Sequence, residues 1–434
     1  MTAARVAVIG FGTIGSGVVK ILLEHGDRLA RHAGRPIELA KVVDIDLSRP
    51  RNVSVPRHVL SDDFNAVLDD PTISVGVELI GGLEPARSIV LRLLERGKDV
   101  VTANKALLAE HGSELFDCAR QHGRSIAFEA SVGGGIPIIA AIGQSLTANQ
   151  ILSVHGILNG TSNFILTQME EHGTDYAAAV AEAQRRGYAE ANPAMDVDGS
   201  DAAQKLAILA HLAFGAEVDW KCIPRVGIDT VEVSDLRYAR ELGYSIKLLA
   251  VAELADDGLE LHVSPTLVRH GTPLAEVRGA YNAIRVVGDA VGRVFFHGLG
   301  AGQMPTASAV VADIIDTVVG RAAITFRTLE LWSDRRQSPV RLRDPAKSAG
   351  RHYLRFNVQD SPGVLAQIAG ILGHHRISIA SVIQHETEDE EADGVVPLVI
   401  MTHTAPQGAM SEAMAAIERL PFVHPRSVRL RVRD

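Results

Sequence analysis

The stretch RVAVIGFGTIGSGVVKILLEHG, residues 5–26, constrains the chain more than any other. A short apolar run ends at Gly10, and from Ser16 the apolar residues recur at helical spacing. Between them Gly10, Gly12 and Gly15 stand in the G-x-G-x-x-G arrangement. Such glycines allow a tight turn, let the backbone approach a pyrophosphate, and let the helix pack closely on the strand. The helix start adds N–H donors and a favourable dipole. The glycine pattern alone is weak, because a merely structural turn uses the same residues. Its place between a strand and a helix points to a dinucleotide, with Thr13 and Ile14 counted among the residues at the cofactor.

The rest of the first third agrees. IELAKVVD (37–44) reads as the next strand, and 73–82, 98–102 and 125–131 as further ones, with helical patterns at 85–96 and 106–122. Alternating strands and helices predict an α/β domain with a parallel sheet covered on both faces. Asp44 closes the second strand, where an acid binds an adenine ribose. By itself Asp44 favours NAD, whereas Arg49 and Arg51 suit the 2′-phosphate of NADP, so both cofactors stay open. Asn104 and Lys105 follow a predicted strand at its carboxyl end, the edge where parallel sheets bind ligands. A solvated loop lysine is the competing reading of Lys105.

The division expected is residues 1–145 as the nucleotide domain, 146–305 as an α+β substrate and dimerisation domain, and 306–331 as an apolar helix returning to the first domain. An arginine-rich, proline-containing linker follows at 332–350, then a β-α-β-β-α-β module at 351–434, the ferredoxin-like order. The acidic ETEDEEADG, starting at residue 386, reads as a solvated turn of that module. A net charge of −9 and only 4% aromatic residues argue against nucleic acid or an anionic membrane as partner. Cys118 and Cys222 give neither a disulfide framework nor zinc spacing, and no apolar run is long enough to span a bilayer. With no signal-peptide pattern at the start, the expectation is a cytoplasmic protein.

DVDGSDAAQKLAILAHLAF (196–214) poses the chemical question. Asp201 and Lys205 lie one helical turn apart, beside Ile208 and Leu212 on a largely apolar face. A surface pair at this spacing is worth a few tenths of a kcal/mol, roughly 0.2–0.5. A buried pair costs several kcal/mol to desolvate and is seldom kept for stability alone. Asp196 and Asp198 suggest a calcium loop, but Ala207 stands where its twelfth-position glutamate belongs.

GFGTIGSG, TANKALLA, EASVGGGIPII, LNGTSNFIL, GYAEANPAMDVDGSDAAQKLAILA and GAGQMPTASAVVADI together resemble homoserine dehydrogenase over about residues 5–325. The resemblance implies a Rossmann-type domain and the reversible NAD(P)H-dependent reduction of L-aspartate 4-semialdehyde to L-homoserine, in threonine and methionine biosynthesis. It makes Lys205 the general acid/base and Lys105 a second cation at the substrate oxygen, with Glu190 and Asp201 binding the substrate. An oxygen gaining charge needs a donor where the charge develops, and burial beside another cation brings a lysine toward a working pKa. It also implies Gly187 and Gly302 at the cofactor, with Leu299 standing where the family often has proline. A monovalent cation, usually sodium, is implied at Glu129, Val132, Gly134 and Ile136, with a structural role.

RFNVQDSPGVLAQIAGILGHHRISIASV resembles the ACT regulatory domain. Asp360 or Ser361 is expected to cap a helix opening with Pro362. The resemblance implies an effector site at Asp360, Gly363, Val364 and Leu365, with L-threonine as ligand, in a homodimer or homotetramer. No kinase domain precedes residue 1, so a monofunctional enzyme is expected. Truncation of the chain before residue 345, which removes the ACT module, is expected to leave an active enzyme that ignores threonine. Two other readings remain: a different NAD(P)-dependent dehydrogenase of small amino or hydroxy acids, and a non-catalytic amino-acid sensor.

Overall fold

The structure, a computed structural model, describes residues 2–332, 340–385 and 394–433. Most of the acidic stretch, 386–393, and residues 333–339 of the expected linker lie outside the described residues. The chain opens with β1 (Ala4–Ile9), α1 (Thr13–Glu24), α2 (Gly26–Ala33), β2 (Ile37–Val43), β3 (Leu60–Ser61) and α3 (Asn65–Leu68). Next come β4 (Ile73–Glu78), α4 (Ala86–Glu95), β5 (Asp99–Thr102), α5 (Lys105–Gln121), β6 (Ile126–Ala127) and α6 (Ile138–Ala140). The middle holds β7 (Ile151–Ile157), α7 (Gly160–His172), α8 (Tyr176–Arg185), α9 (Ala194–Val197), α10 (Ser200–Phe214) and α11 (Val233–Glu241). Strands β8 (Tyr244–Ala255), β9 (Gly258–Arg269), β10 (Tyr281–Gly288) and β11 (Gly292–Leu299) precede α12 (Gln303–Val319) and α13 (Ala322–Trp332). The last part is β12 (Ala349–Gln359), α14 (Val364–His374), β13 (Ile379–Ile383), β14 (Val395–Thr402), β15 (Ala405–Pro406), α15 (Gln407–Ile417) and β16 (Val423–Arg433).

The chain divides into two compact units. The first comprises residues 1–154, 203–222 and 281–340, and the second 155–202, 223–280 and 341–434. In the first, six parallel strands lie in the order β3-β2-β1-β4-β5-β6. The strand order reverses between β1 and β4, so the carboxyl ends of these two strands face a crevice of the kind that binds ligands. Val6, Val8, Val18, Val19, Val75 and Val77 form its core together with Ala307, Val310, Val311 and Ile314 of α12. That helix lies on α1, where a Cβ on Gly17 would come within 3.0 Å of Ala307 Cβ. It starts at Gln303, three residues before the expected start, and α13 follows it as a separate helix.

The expected strand 125–131 shrinks to Ile126–Ala127. The Glu129 N–H donates to Asp313 Oδ2 at 2.8 Å, and residues Glu129–Ser131 turn into a 3₁₀ segment, which takes this backbone out of sheet pairing. Nothing in the sequence reading pointed to β8, whose twelve residues pair along their length with β9. Its first nine residues are all buried, so YSIKLLAVA shows no alternation. A run of Leu and Ala buried on both faces carries no period that separates strand from helix.

In the second unit β8, β9, β16, β12, β14 and β13 lie side by side. The last four, with α14 and α15 over one face, make the expected ferredoxin-like module around Leu354, Phe356, Ile368, Leu398, Ile400 and Met410. Two findings tie the module and the end of the linker to the rest of the second unit. Strand β16 pairs in parallel with β9 at Arg431–Thr266, Leu267–Val432 and Val268–Arg433. The linker residue Leu342 forms a bridge with Leu259, and Arg343 Nε lies 2.9 Å from Asp257.

Candidate functional site

The glycine turn between β1 and α1 is built as its residue types require. Gly10 has φ 102°, and a Cβ there would meet Leu79 backbone at 2.6 Å. A Cβ on Gly15 would lie 2.0 Å from the Gly10 carbonyl oxygen. Gly12 differs: it precedes α1 without a side-chain cap, and a Cβ on it meets nothing within 4 Å. The protein therefore needs Gly10 and Gly15 for its own packing, while Gly12 leaves open space over the amide end of α1. Thr13 is exposed and Ile14 half-buried at this end. Gln303 Nε2 donates to the Thr13 carbonyl at 2.9 Å, bringing Gly302, the residue before α12, to the same turn. These features fit a dinucleotide: donors at a helix start, and no side chain in the way.

Asp44 stands where the sequence placed it, but its carboxylate is engaged. Oδ2 accepts the Phe11 N–H at 2.5 Å and Oδ1 the Asp46 N–H at 2.9 Å. Arg51 lies 4.6 Å from the centre of the Phe11 ring and donates from Nε to the Phe11 carbonyl at 3.0 Å. Its Nη2 stands 3.7 Å from Asp44 Oδ2 and also donates to the Asp46 carbonyl. Arg49 is exposed.

Lys105 is the first residue of α5, at the carboxyl edge of β5. Asn104 caps that helix, its Oδ1 accepting the Leu107 N–H at 3.1 Å while Nδ2 donates to the Gly82 carbonyl at 2.7 Å. The Asn104 N–H donates to Thr102 Oγ1 at 3.0 Å, and the Thr102 hydroxyl donates to Glu78 Oε2 at 2.7 Å. Glu78 has no exposed surface, and its Oε1 accepts the N–H groups of Ile80 at 2.8 Å and Gly81 at 3.2 Å. A buried carboxylate is tolerable where donors surround it.

Helix α10 is buried along nearly its whole length. Asp201 is 4% exposed, Gln204 4% and Lys205 9%. Asp201 is held by Asn159, whose Nδ2 donates to Asp201 Oδ2 and to Asp196 Oδ1, each at 2.8 Å. Asn159 is itself the cap of α7, its Oδ1 accepting the Ser162 N–H at 2.7 Å. Asp196 thus belongs to a carboxylate–amide cluster, and Asp198 caps the turn into α10 by accepting the Ser200 N–H at 2.7 Å. Glu190 is not part of that cluster in this structure. Its side chain is exposed, and its carbonyl accepts Gln184 Nε2 at 3.2 Å. Gly187 lies on the same exposed segment with φ 74°.

The turn 129–136 supplies a different arrangement from a carboxylate facing turn carbonyls. Glu129 Oε1 accepts the Ile139 N–H at 2.9 Å and Oε2 the Ala140 N–H at 2.8 Å, so both oxygens anchor α6. Burial pushes the Glu129 carboxyl up to about 7, against the pull of those amides. Burial and the neighbouring Glu129 carboxylate also push Asp313 well above its usual range. Gly133 and Gly134 turn at φ 75° and 55°, and a Cβ on Gly134 would strike the Gly300 carbonyl oxygen at 2.4 Å. Among the described residues no group of three His, Cys, Asp or Glu side chains gathers as a metal centre.

At the ACT module the cap is not the one expected. Gly363, with φ 94°, precedes α14, and no side chain caps the helix. Asp360 accepts Gln384 Nε2 at 3.3 Å instead, and the helix begins at Val364 rather than Pro362. The positive φ of Gly363 ends the turn with amides of Val364 and Leu365 at the helix start. A cavity of about 520 Å³ lies between α5 and α10, lined by Leu108, His111, Phe116, Ile208 and His211, and none of the residues predicted for the site lines it. Three residues escaped the sequence reading: Asn159, Glu78 and Thr102. Asn159 had a signal, an Asn before Gly-Thr-Ser at a helix start. Glu78 had one too, since a lone acid closing an apolar strand is the same sign that marked Asp44.

Comparison with known proteins gives three matches to families. Residues 10–129 match the homoserine dehydrogenase NAD-binding domain, 137–315 homoserine dehydrogenase, and 352–422 the ACT domain. The homoserine dehydrogenase of Pseudomonas aeruginosa is 43% identical over 440 residues, covering 100% of this chain and 99% of the relative. The crystal structure of a homoserine dehydrogenase from Thiobacillus denitrificans superposes with a TM-score of 0.89 at 39% identity, covering 100% of this chain and 99% of that one. A hyperthermophilic archaeal homoserine dehydrogenase in complex with NADPH has a TM-score of 0.60 at 25% identity, covering 74% of this chain and 98% of its own.

Proposed function

The chain belongs to the homoserine dehydrogenase family, and from that premise we propose which of its residues carry the interconversion of L-aspartate 4-semialdehyde and L-homoserine. When bound, the nicotinamide ring supplies the hydride for reduction and accepts it in oxidation. Lys205 gives a proton to the aldehyde oxygen as that oxygen becomes an alkoxide, and takes it back in the reverse direction. Lys105 places a second positive charge at the same oxygen, and Asp201 and Glu190 bind the hydroxyl or ammonium end of the amino acid. The observation that carries this reading is α10 itself: an acid and an amine one turn apart, both at least nine-tenths buried, with the acid locked by Asn159. Desolvated charges are costly unless they are used, and a preorganised donor is worth most in a dry site. Lys205→Ala should abolish turnover and leave nucleotide affinity nearly unchanged; a variant with wild-type kcat would remove Lys205 from the role.

Gly10, Gly12, Thr13, Ile14, Gly15, Asn104, Gly187 and Gly302 form the nucleotide contact set, with Asp44 at the ribose. NADP(H) is the preferred form. The reading is supported by Asp44 accepting two backbone amides and by Arg51 beside it, which together soften the repulsion an acid presents to a 2′-phosphate. Rates with NADPH and NADH at matched concentrations test it, and a higher kcat/KM for NADH would reverse it.

A monovalent cation, sodium, is held at Glu129, Val132, Gly134 and Ile136 through main-chain oxygens, because the Glu129 side chain is turned to α6. Its role is to brace the turn. Melting in sodium against tetramethylammonium chloride would show a sodium-specific rise. L-threonine binds the ACT module with its carboxylate at the start of α14, by Gly363, Val364 and Leu365, and its ammonium group at Asp360. Inhibition by threonine but not by serine or valine, lost in Gly363→Leu, is the expected result. The homo-oligomer is supported by the exposed ring row Tyr281, His297 and Phe295 on the β10–β11 hairpin, and light scattering would give its mass.

A further inference from the structure

The Glu78 carboxylate joins two backbone segments on the ligand edge of the parallel sheet. One is the loop after β4. Its Leu79 backbone is the surface against which Gly10 of the dinucleotide turn lies, so close that a Cβ on Gly10 would stand 2.6 Å from it. The Ile80 and Gly81 amides of this loop both donate to Glu78 Oε1. The other is the turn after β5 that presents Lys105. There Thr102 donates to Glu78 Oε2 and accepts the Asn104 N–H. Asn104 closes the ring by donating to the Gly82 carbonyl.

All three partners of Glu78 are donors: two amides and one hydroxyl, which also accepts the Asn104 N–H. Only a group that accepts at both ends satisfies them. An amide side chain would have to turn its NH2 either to the Ile80 and Gly81 N–H groups or to Thr102, whose hydroxyl proton would then lose its acceptor in a buried place. A carboxylate fits for that reason, and an apolar residue of the same size would release both segments. The loop glycines 81 and 82, at φ 79° and 72°, follow the path that Oε1 dictates.

We propose that Glu78 is a positioning residue for the reaction, one that holds the wall of the nucleotide crevice and the Lys105 turn in a single frame. The proposal rests on Lys105 acting at the substrate and on the glycine turn binding the nucleotide. The test uses the full chain with Glu78→Gln, Thr102→Val and Thr102→Ser. Nucleotide dissociation constants come from NADPH fluorescence, kcat and KM from NADPH oxidation with aspartate semialdehyde, and folding from thermal melts.

Glu78→Gln and Thr102→Val should each weaken NADPH binding about tenfold and lower kcat by ten- to a hundredfold. The KM for semialdehyde should move much less. The double variant should be little worse than either single one, since both break the same frame. Thr102→Ser keeps the hydroxyl and should restore both constants, a rescue that loss of packing alone would not give. Wild-type constants in folded Glu78→Gln, or a Thr102→Ser variant as damaged as Thr102→Val, would overturn the proposal. If Glu78→Gln does not fold, the Thr102 pair decides alone. Lys105→Ala separates the readings. Full activity in it, with NADPH binding still lost in Glu78→Gln, removes Lys105 from the role. Lost activity in it, with NADPH binding intact in Glu78→Gln, overturns the proposal for Glu78.

Discussion

Three glycines of one motif do two different jobs, and the difference is measurable. Gly15→Ala would drive a methyl to 2.0 Å from the Gly10 oxygen, so the turn has to move. Gly12→Ala meets nothing in the protein. Its melting temperature should stay within a degree or two of wild type, whereas NADPH affinity should fall at least tenfold as the methyl enters the space of the pyrophosphate. Fluorescence titration beside a melt checks both, and unchanged affinity would mean that the nucleotide does not approach this turn. At the other centre, Asn159→Ala leaves Asp196 and Asp201 without their shared amide and removes the cap of α7. We expect about 1–2 kcal/mol of lost stability from the cap and a raised KM for semialdehyde, measured by denaturant titration and steady-state rates. Asp201 and Lys205 were legible because an acid and an amine break an apolar run. Asn159 was less so, since its task is to hold another residue, and its partners lie 37 and 42 positions away.

Among elements, β12 of the ACT module carries a buried charge cluster that ties it to α11. Arg355, 1% exposed, places Nε 2.7 Å from Asp235 Oδ1 and Nη2 3.1 Å from Oδ2. Tyr353 donates to the same Oδ1 at 2.9 Å. Asp235 also accepts the Glu232 N–H at 3.0 Å in the capping box of α11. Asp235→Ala would leave the buried guanidinium to the half-exposed Glu232 carboxylate at 3.1 Å and Asn357 Oδ1 at 3.2 Å, and should cost up to about 3 kcal/mol, read as a shifted denaturant midpoint. On the opposite face of β12, His352 is 1% exposed, and neither ring nitrogen has a hydrogen-bond partner among the described residues. Burial, with Arg429 and Arg431 nearby, holds it down to about 3, and burial holds His262 well below its usual range too. Both rings are neutral when folded, yet take up a proton near pH 6.5 once unfolded. Stability is therefore whole above about pH 6.5 and is lost as pH falls toward 3, by at most ~1.4 kcal/mol per pH unit for each histidine. Midpoints at pH 7.5 and 5 should converge in His352→Gln relative to wild type; an unchanged slope would contradict this.

For the whole molecule, the β16–β9 pairing changes what truncation should do. A chain cut before residue 345 loses the partner of Thr266, Leu267 and Val268 and the two side chains that satisfy Asp235. To the expectation of an active remnant the structure adds that it should melt at least several degrees lower and carry a bare strand edge. Differential scanning calorimetry of the truncated and full chains checks this, and equal melting temperatures would show that the module adds nothing to the second unit. By itself the sequence determined the main alternation of strands and helices in the first third, without α2, β3 and α3, and the element order of the last module, together with the dinucleotide turn, the lysines and the acid on α10. Those signals are local: a period of two or 3.6, a glycine where φ turns positive, a charge inside an apolar run. Only the tertiary structure decided that Asp44 accepts the amides of Phe11 and Asp46, that Glu129 anchors a helix, that Gly363 and not Asp360 precedes α14, and that β8 is a strand. Phe11 lies 33 positions from Asp44 and Gln384 lies 24 from Asp360, and β8 is buried from both sides. Glu129 reaches amides only 10 and 11 positions on, but a backbone N–H leaves no mark on the sequence.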